Sequence, residues 1–332
     1  MECKMIFHRV ASAIFTMLLS SMVIFVLVRF APGDPIDLIM GQMPHDTGIN
    51  MEMLEGKKAE LREQQGLNAS IPVQYFIWAK KVITLDFGTS IKSGRPIITE
   101  LAERVPATLL LSSAAMFFEI VLGLLFGLYS AIKANCYQDS IVRIICVVFA
   151  SLPGFILSLL LLYIFSVHWC YYDLSSTAEQ GRLWLPALTL GLVGAPQIIR
   201  MIRATMLTEL RQTYVVSALS RGVSTWRIVQ GAFRNALLPI ITTIALSFAH
   251  LVGGSVVIES IFNWPGLGNY AMNSLLFHDY PAIQGYTVLT VTTVIIINLL
   301  VELTYLLADP RLRRAQRISI EKEKGEEICM GN

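Results

Sequence analysis

Long apolar runs separated by shorter polar stretches organise this chain, at residues 10–28, 107–132, 141–167, 183–199, 239–258 and 286–307. A bilayer's hydrocarbon core is about 30 Å thick, and a helix rising about 1.5 Å per residue needs about 20 apolar residues to cross it. Each run is of that order. Inside oil every backbone N–H and C=O must find a partner within the protein, so the runs predict helices and not isolated strands or loops. The expectation is an all-α integral membrane protein with about six transmembrane helices. The first run follows Lys4, His8 and Arg9, the charge pattern of a secretory signal peptide. It exceeds the usual apolar core of about 7–15 residues, and small-x-small cleavage chemistry is poorly served by Ala31-Pro32-Gly33. It is read as a first span that stays in place.

Composition supports lipid as the main solvent. Of 332 residues, 54% are hydrophobic and 15% charged, with a mean hydropathy of +0.59; soluble domains carry about 25% charged residues. The net charge of +2 comes with no basic stripe, which speaks against a nucleic-acid partner. The basic residues instead mark sides. Lys4 and Arg9, then Lys133 and Arg143, then Arg200, Arg203, Arg211, Arg221, Arg227 and Arg234, then Arg311, Arg313, Arg314 and Arg317 all fall on one side if there are six spans. By the positive-inside rule that side is cytoplasmic, as are both termini. The loops at 168–182 and 259–285 hold only Arg182 among basic residues, beside Asp173, Glu179, Glu259 and Asp279, and are read as external.

The stretch from 32 to 105 carries Lys57, Lys58, Lys80 and Lys81, but a loop of that length translocates largely regardless of charge. It is expected to be a small external region with helices near 51–65 and 72–83. The organisation is therefore residues 1–31 as N-terminal segment and first helix, 32–105 as external region, 106–310 as membrane core with a cytoplasmic loop at 204–238, and 311–332 as a cytoplasmic tail. The tail's wealth of Glu and Lys and lack of apolar residues predict disorder.

Enzyme chemistry finds no foothold in the sequence. No G-x-x-x-x-G-K-[ST] loop is present to cradle a nucleotide, and there is no HExxH or GxSxG. The histidines, His8, His45, His168, His250 and His278, are scattered, and the five cysteines form no CxxC pair or disulfide framework. No metal or cofactor site is expected. Ionisable groups within spans are costly and therefore informative. Glu119 lies near the middle of the second run, where it serves either a translocation pathway or an inter-helix hydrogen bond. His250, beside Ser247, Gly253 and Gly254, has the same two readings. Arg143 and Glu302 are near span ends, where snorkelling explains them. Gly123 and Gly127 have the spacing that lets helices approach closely.

The loop from Thr213 to Pro239 is the most informative polar stretch. Helical patterning, the small residues Ser217, Ala218 and Gly222, and flanking arginines predict a short surface helix, a break, and a second helix entering the membrane near Pro239. On its own such a loop also fits a basic helix held to anionic lipid. Far along the chain, Phe262-Asn-Trp-Pro-Gly-Leu-Gly268 sets glycines and a proline among aromatics at the external end of the fifth span, which suits either an interfacial turn or a re-entrant one.

The loop resembles the "EAA" loop of binding-protein-dependent importer permeases. Val216-Ser217-Ala218 stand at the triplet, Gly222 at the glycine four residues on, and Leu238-Pro239 at the closing Leu-Pro. Departures from Glu-Ala at the first two positions and the long gap from Gly222 to Pro239 are similar to the dipeptide, oligopeptide and nickel branch. So, in order, are Arg29-Phe-Ala-Pro-Gly-Asp-Pro35, Pro72-Val-Gln-Tyr75, Leu85-Asp-Phe-Gly-Thr-Ser90, Ser93-Gly-Arg-Pro96, Pro106-Ala-Thr-Leu109, Ser151-Leu-Pro153, Leu185-Pro-Ala-Leu188, Arg234-Asn-Ala-Leu-Leu-Pro239, Phe262-Asn-Trp-Pro-Gly-Leu-Gly268, His278-Asp-Tyr-Pro281 and Asp309-Pro-Arg311.

The resemblance implies a type I ABC importer transmembrane fold in a bacterial or archaeal cytoplasmic membrane. It implies a pore-forming subunit with no ATPase activity or cofactor of its own. Its partners are then a second, homologous permease, two cytoplasmic ATPase subunits, an extracytoplasmic substrate-binding protein and the lipid bilayer. The implied cargo is a di- or oligopeptide, nickel or a metal chelate. Tyr214, Ser217, Ala218, Arg221 and Gly222 would couple to the ATPase, and Trp264, Pro265, Gly266 and Gly268 would form an external gate touched by the binding protein. Glu119 and His250 are the candidates for the pathway. The competing class is a stand-alone secondary transporter or channel, which needs coupling-ion carboxylates or internal repeats that are not evident here.

Overall fold

The computed structural model describes residues 2–29, 69–174 and 180–308. The predicted helix at 51–65, the Arg29–Pro35 motif beyond Arg29, the external region up to residue 68, the Asp309–Arg311 motif and the 311–332 tail lie outside the described residues. The described part is almost wholly helical: α1 (Glu2–Arg29), α2 (Ile71–Ile83), α3 (Ile97–Ile132), α4 (Tyr137–Ser151), α5 (Gly154–Leu162), α6 (Gln180–Leu210), α7 (Thr213–Ser220), α8 (Thr225–Gly254), α9 (Val256–Ile261), α10 (Leu267–Leu276) and α11 (Tyr280–Ala308). Five of these are long and apolar enough to cross a membrane, and a sixth crossing results if the bent pair α4–α5 is one span.

That bend is where the structure departs most from the predicted spans. The run at 141–167 is not one helix; its two halves meet at 96°. Pro153 has no N–H to continue α4 and drives the residue before it out of helical geometry, and Leu152 is indeed extended at ψ 123°. The other spans are longer than their apolar runs. α3 has 36 residues and begins ten positions before Ala107, which at about 54 Å overshoots the hydrocarbon layer. α6 likewise runs on to Leu210 and α8 starts at Thr225, so both project from the core towards the short α7 that joins them.

α3 and α6 form the most extensive helix pair. Gly127 faces Ile202 so closely that a Cβ there would fall 2.9 Å from the Ile202 Cβ, and Gly123 meets Ile198 in the same way. The GxxxG spacing thus forms a helix seam, as the sequence suggested. Of the four hydrophobic clusters among the described residues, two run along the α3–α6 pair. One gathers Leu111, Ala115, Leu185, Leu190, Leu251, Phe262 and Trp264; the other gathers Ala131, Ile198, Ile202, Met206, Val229, Ala236 and Ile240, at the end bearing α7. Glu119 lies between them. It is buried, accepts a hydrogen bond from Ser247 of α8 at 2.5 Å, and fills the space left by Gly194 of α6.

α1 lies at the edge against α11, with Phe7, Phe15, Leu18 and Leu27 exposed, as suits a helix whose solvent is lipid. Arg9 and Glu302 pair at 2.6 Å across these two helices, so Glu302 has a partner instead of snorkelling alone. α11 begins beside the start of α3, where Gly285 meets Ile97, and the two helices run the same way. The described ends of α1 and α11 therefore share one end of the bundle with α7. At the opposite end, α2 stacks Tyr75 and Trp78 on Phe25 of α1, both with ring centroids at 5.6 Å.

Replacing Gly127 by leucine is expected to destabilise the bundle by about 1–3 kcal/mol through overpacking of the α3–α6 seam. Thermal unfolding of the purified chain in detergent measures this; an unchanged melting temperature would mean the two helices are not so close.

Candidate functional site

The first candidate region is the loop around α7. Its C-terminus closes on Gly222, whose φ of +74° lies in the left-handed region that side chains resist. Gly222 N–H donates to Leu219 O at 2.9 Å and Val223 N–H to Ala218 O at 3.1 Å, which is a Schellman ending. No neighbour lies within 4 Å of a Cβ at Gly222, so backbone geometry alone selects glycine. Along α7 only Val215 is buried; Tyr214, Ser217 and Arg221 are exposed and Ala218 is half-buried. Arg221 Nε donates back to Ser217 O at 3.2 Å. Val216, Leu219 and Trp226 stand 60%, 56% and 67% exposed, apolar surface that no other described residue covers.

α7 is tied to its neighbours through Glu209, a residue the sequence reading passed over. Glu209 Oε2 of α6 accepts from Tyr214 Oη at 3.0 Å and from Asn235 Nδ2 of α8 at 3.3 Å, so one carboxylate joins three helices. Partial burial pushes the Tyr214 phenol above its ordinary pKa, and the adjacent Glu209 carboxylate adds to the rise. Two turns earlier, Arg203 grips Asp139 of α4 with two hydrogen bonds at 2.7 Å. Asp139 is fully buried and also takes the Ser130 hydroxyl of α3 and the Asn135 N–H at 3.2 Å. A bidentate pair of this kind is both strong and directional. Arg203 entered the sequence reading only as a charge marking a side.

The second region is at the opposite end of the bundle. Trp264 and Phe262 are completely buried, Gly266 and Gly268 are buried and Pro265 is half-buried. The turn is therefore packed into the bundle, and Asn263 is its exposed residue. Trp264 Nε1 donates to Ala107 O at 2.9 Å, and Thr108 Oγ1 accepts Leu267 N–H at 2.7 Å. Two motifs quoted apart in sequence, around Pro106 and around Trp264, thus lie against each other. At their meeting point is Glu259, with 0% exposure. Its Oε1 accepts the hydroxyls of Thr108 and Ser255, both at 2.9 Å, and its Oε2 accepts the N–H groups of Gly268 and Asn269 at 2.7 and 3.1 Å. A Cβ on Gly268 would sit 3.0 Å from Glu259 Oε2, and one on Gly266 2.6 Å from Thr108 Oγ1.

By sequence Glu259, Asp279 and Arg182 read as external loop charges, yet all three are buried. Asp279 accepts the Ser90 hydroxyl at 2.6 Å and the Lys92 N–H at 3.3 Å, so the Ser90 and His278 motifs also meet. Arg182 donates to Asp173 O and Phe262 O at 2.8 and 3.2 Å. The only available signal for Glu259 was an acid directly following the apolar Val256-Val-Ile258 and preceding a glycine-rich turn. The two pathway candidates are not brought together as a pair: Glu119 is buried between helices and His250 is exposed on α8.

Residues 123–314 match the family described as binding-protein-dependent transport system inner membrane component, and residues 2–112 match the N-terminal part described for such components. A putative peptide permease of Brucella ovis is 36% identical over 318 residues, covering 92% of this chain and 98% of the relative. The glutathione transport system permease protein GsiC of Salmonella choleraesuis is 34% identical over 309 residues, covering 93% and 98%. In fold, the chain is similar to an inward-facing MetNI methionine ABC transporter chain, with a TM-score of 0.55 at 22% identity over 63% of this chain and 96% of that one.

Replacing Asp139 by alanine leaves the Arg203 fork unmatched and is expected to cost about 2 kcal/mol of stability. Adding Arg203→Ala is expected to recover part of that loss. Melting temperatures of the single and double variants measure the coupling, and strictly additive losses would contradict the pair.

Proposed function

The chain belongs to the family of binding-protein-dependent transport system inner membrane components, and from that premise we propose that it is the pore-forming permease of an ATP-driven importer of short peptides. It is a multi-pass inner membrane protein. In this reading the arginine-rich end with α7 faces the cytoplasm, and the end with Trp264 and Glu259 faces outward. A second permease, two ATPase subunits and an external binding protein complete the machine.

The observation that carries the reading is α7 itself: a short helix exposed on most of its surface, ended by a left-handed glycine and fastened to α6 and α8 through Glu209. A moving partner that takes hold of α7 tilts α6 and α8 together. α3 follows α6 because their glycine seam admits little slip, and the Arg203–Asp139 fork carries the α3–α4 turn with them. Such a chain of contacts turns work done outside the membrane into a change of pore shape. Tyr214, Ser217, Ala218, Arg221 and Gly222 are the coupling residues in this scheme. The cargo follows the relatives named for peptide and glutathione transport, with nickel or a metal chelate as the other possibility in the branch.

In a strain lacking this chain, uptake of a labelled dipeptide, labelled glutathione and labelled nickel separates these cargoes. The expected result is loss of peptide or glutathione uptake, restored by the chain, with nickel untouched; loss of nickel uptake alone would move the cargo to metal. Gly222→Trp is expected to lower uptake by about tenfold or more, while the binding protein still captures its ligand. Normal uptake by that variant would count against coupling through α7.

A further inference from the structure

Glycines at the outer end of the core divide into two kinds. Gly266 and Gly268 are demanded by space, since the Glu259 carboxylate and the Thr108 hydroxyl occupy the volume their side chains would take. Gly253 and Gly254, at the end of α8, are different. A Cβ on Gly254 meets nothing within 4 Å, and one on Gly253 meets only Val294 and Thr290 at ordinary distances of 3.8 and 3.9 Å. Neither has a left-handed φ. Among the described residues neither packing nor backbone geometry calls for glycine at either position, which leaves its freedom to change conformation.

The structure around this pair is asymmetric. Beyond it, α9, the Trp264–Gly268 turn and α10 are bound to the outer part of α3 by Glu259, by Thr108 to Leu267 and by Trp264 to Ala107. Before it, α8 holds to α3 within the membrane by one side-chain hydrogen bond among the described residues, Ser247 to Glu119. A block held by directional hydrogen bonds and a helix held mainly by apolar packing meet at two adjacent glycines.

We propose that Glu259 is a positioning residue for transport, locking α9, the turn and α10 onto α3 as one block, and that α8 swings against this block at Gly253–Gly254. The proposal rests on the importer reading above. It assigns the buried Trp264 turn the part of a fixed abutment, and it places the change of shape at the α8–α9 junction. Hinges of this kind are a few element-terminal residues that absorb backbone rotation.

The test uses the full chain assembled with its partner subunits in lipid nanodiscs, reading basal ATP hydrolysis, its stimulation by the binding protein, and uptake of a labelled tripeptide in matching vesicles. Glu259→Gln turns an amide N–H₂ towards backbone donors, and Thr108→Val removes the bridging hydroxyl. Both variants are expected to assemble and keep basal hydrolysis while stimulation and uptake fall by about tenfold or more. Thr108→Ser, which keeps the hydroxyl, is expected to stay near the wild-type level. The Gly253→Ala, Gly254→Ala double variant is expected to melt no lower than wild type and yet to transport about tenfold more slowly. Wild-type stimulation in both Glu259→Gln and Thr108→Val, loss explained wholly by failed assembly, or full uptake by the double alanine variant would each overturn the proposal. A wild-type complex with no ATP-driven uptake would sink the importer reading and this inference with it.

Discussion

A backbone crossing oil has no water to bond, so every interruption of a helix must be repaired by the protein itself. This chain interrupts its helices at the α4–α5 bend, at the α8–α9 junction and at the turn before α10. At the last of these the repair is complete: Thr108 accepts Leu267 N–H, and Glu259 accepts Gly268 and Asn269 N–H. The first turn of α10, which would otherwise carry orphan donors, is closed by side chains from α3 and α9. The same bonds fix where α3, α9 and α10 stand relative to each other.

The opposite end follows a related logic with different chemistry. There the helices outrun the hydrocarbon and are joined by carboxylates, Glu209 linking α6, α7 and α8, and Asp139 linking α3, α4 and α6. Between the two ends the bundle relies on close packing, with Glu119 in the space left by Gly194 at the waist between two apolar clusters. Polar knots at the ends and glycine seams between them make stiff levers. In the proposed importer, the exposed α7 is where a partner's motion would act on them.

The broad architecture was legible because solvent leaves a one-dimensional signature: apolar runs marked the spans. Gly123 and Gly127 were legible for the same reason, since the spacing itself carries the geometry. Gly222 and the break after α7 were also readable from small residues in a helical pattern. What stayed hidden depends on contacts between distant segments. A carboxylate in a loop looks the same whether it faces water or, like Glu259 and Asp279, is buried under several donors. The α4–α5 bend was hidden because hydropathy adds over a run and takes no account of Pro153. The burial of Trp264 was hidden because nothing local announces that Ala107, 157 residues earlier, supplies its partner.

The central claim is that the exposed α7 loop faces the compartment where ATP is spent. A single cysteine at Ser220, in a chain whose native cysteines have been replaced, can be challenged with a membrane-impermeant maleimide. Protection in intact cells and full labelling after the membrane is opened is the predicted result. Labelling of intact cells from the outside would contradict the account at its root.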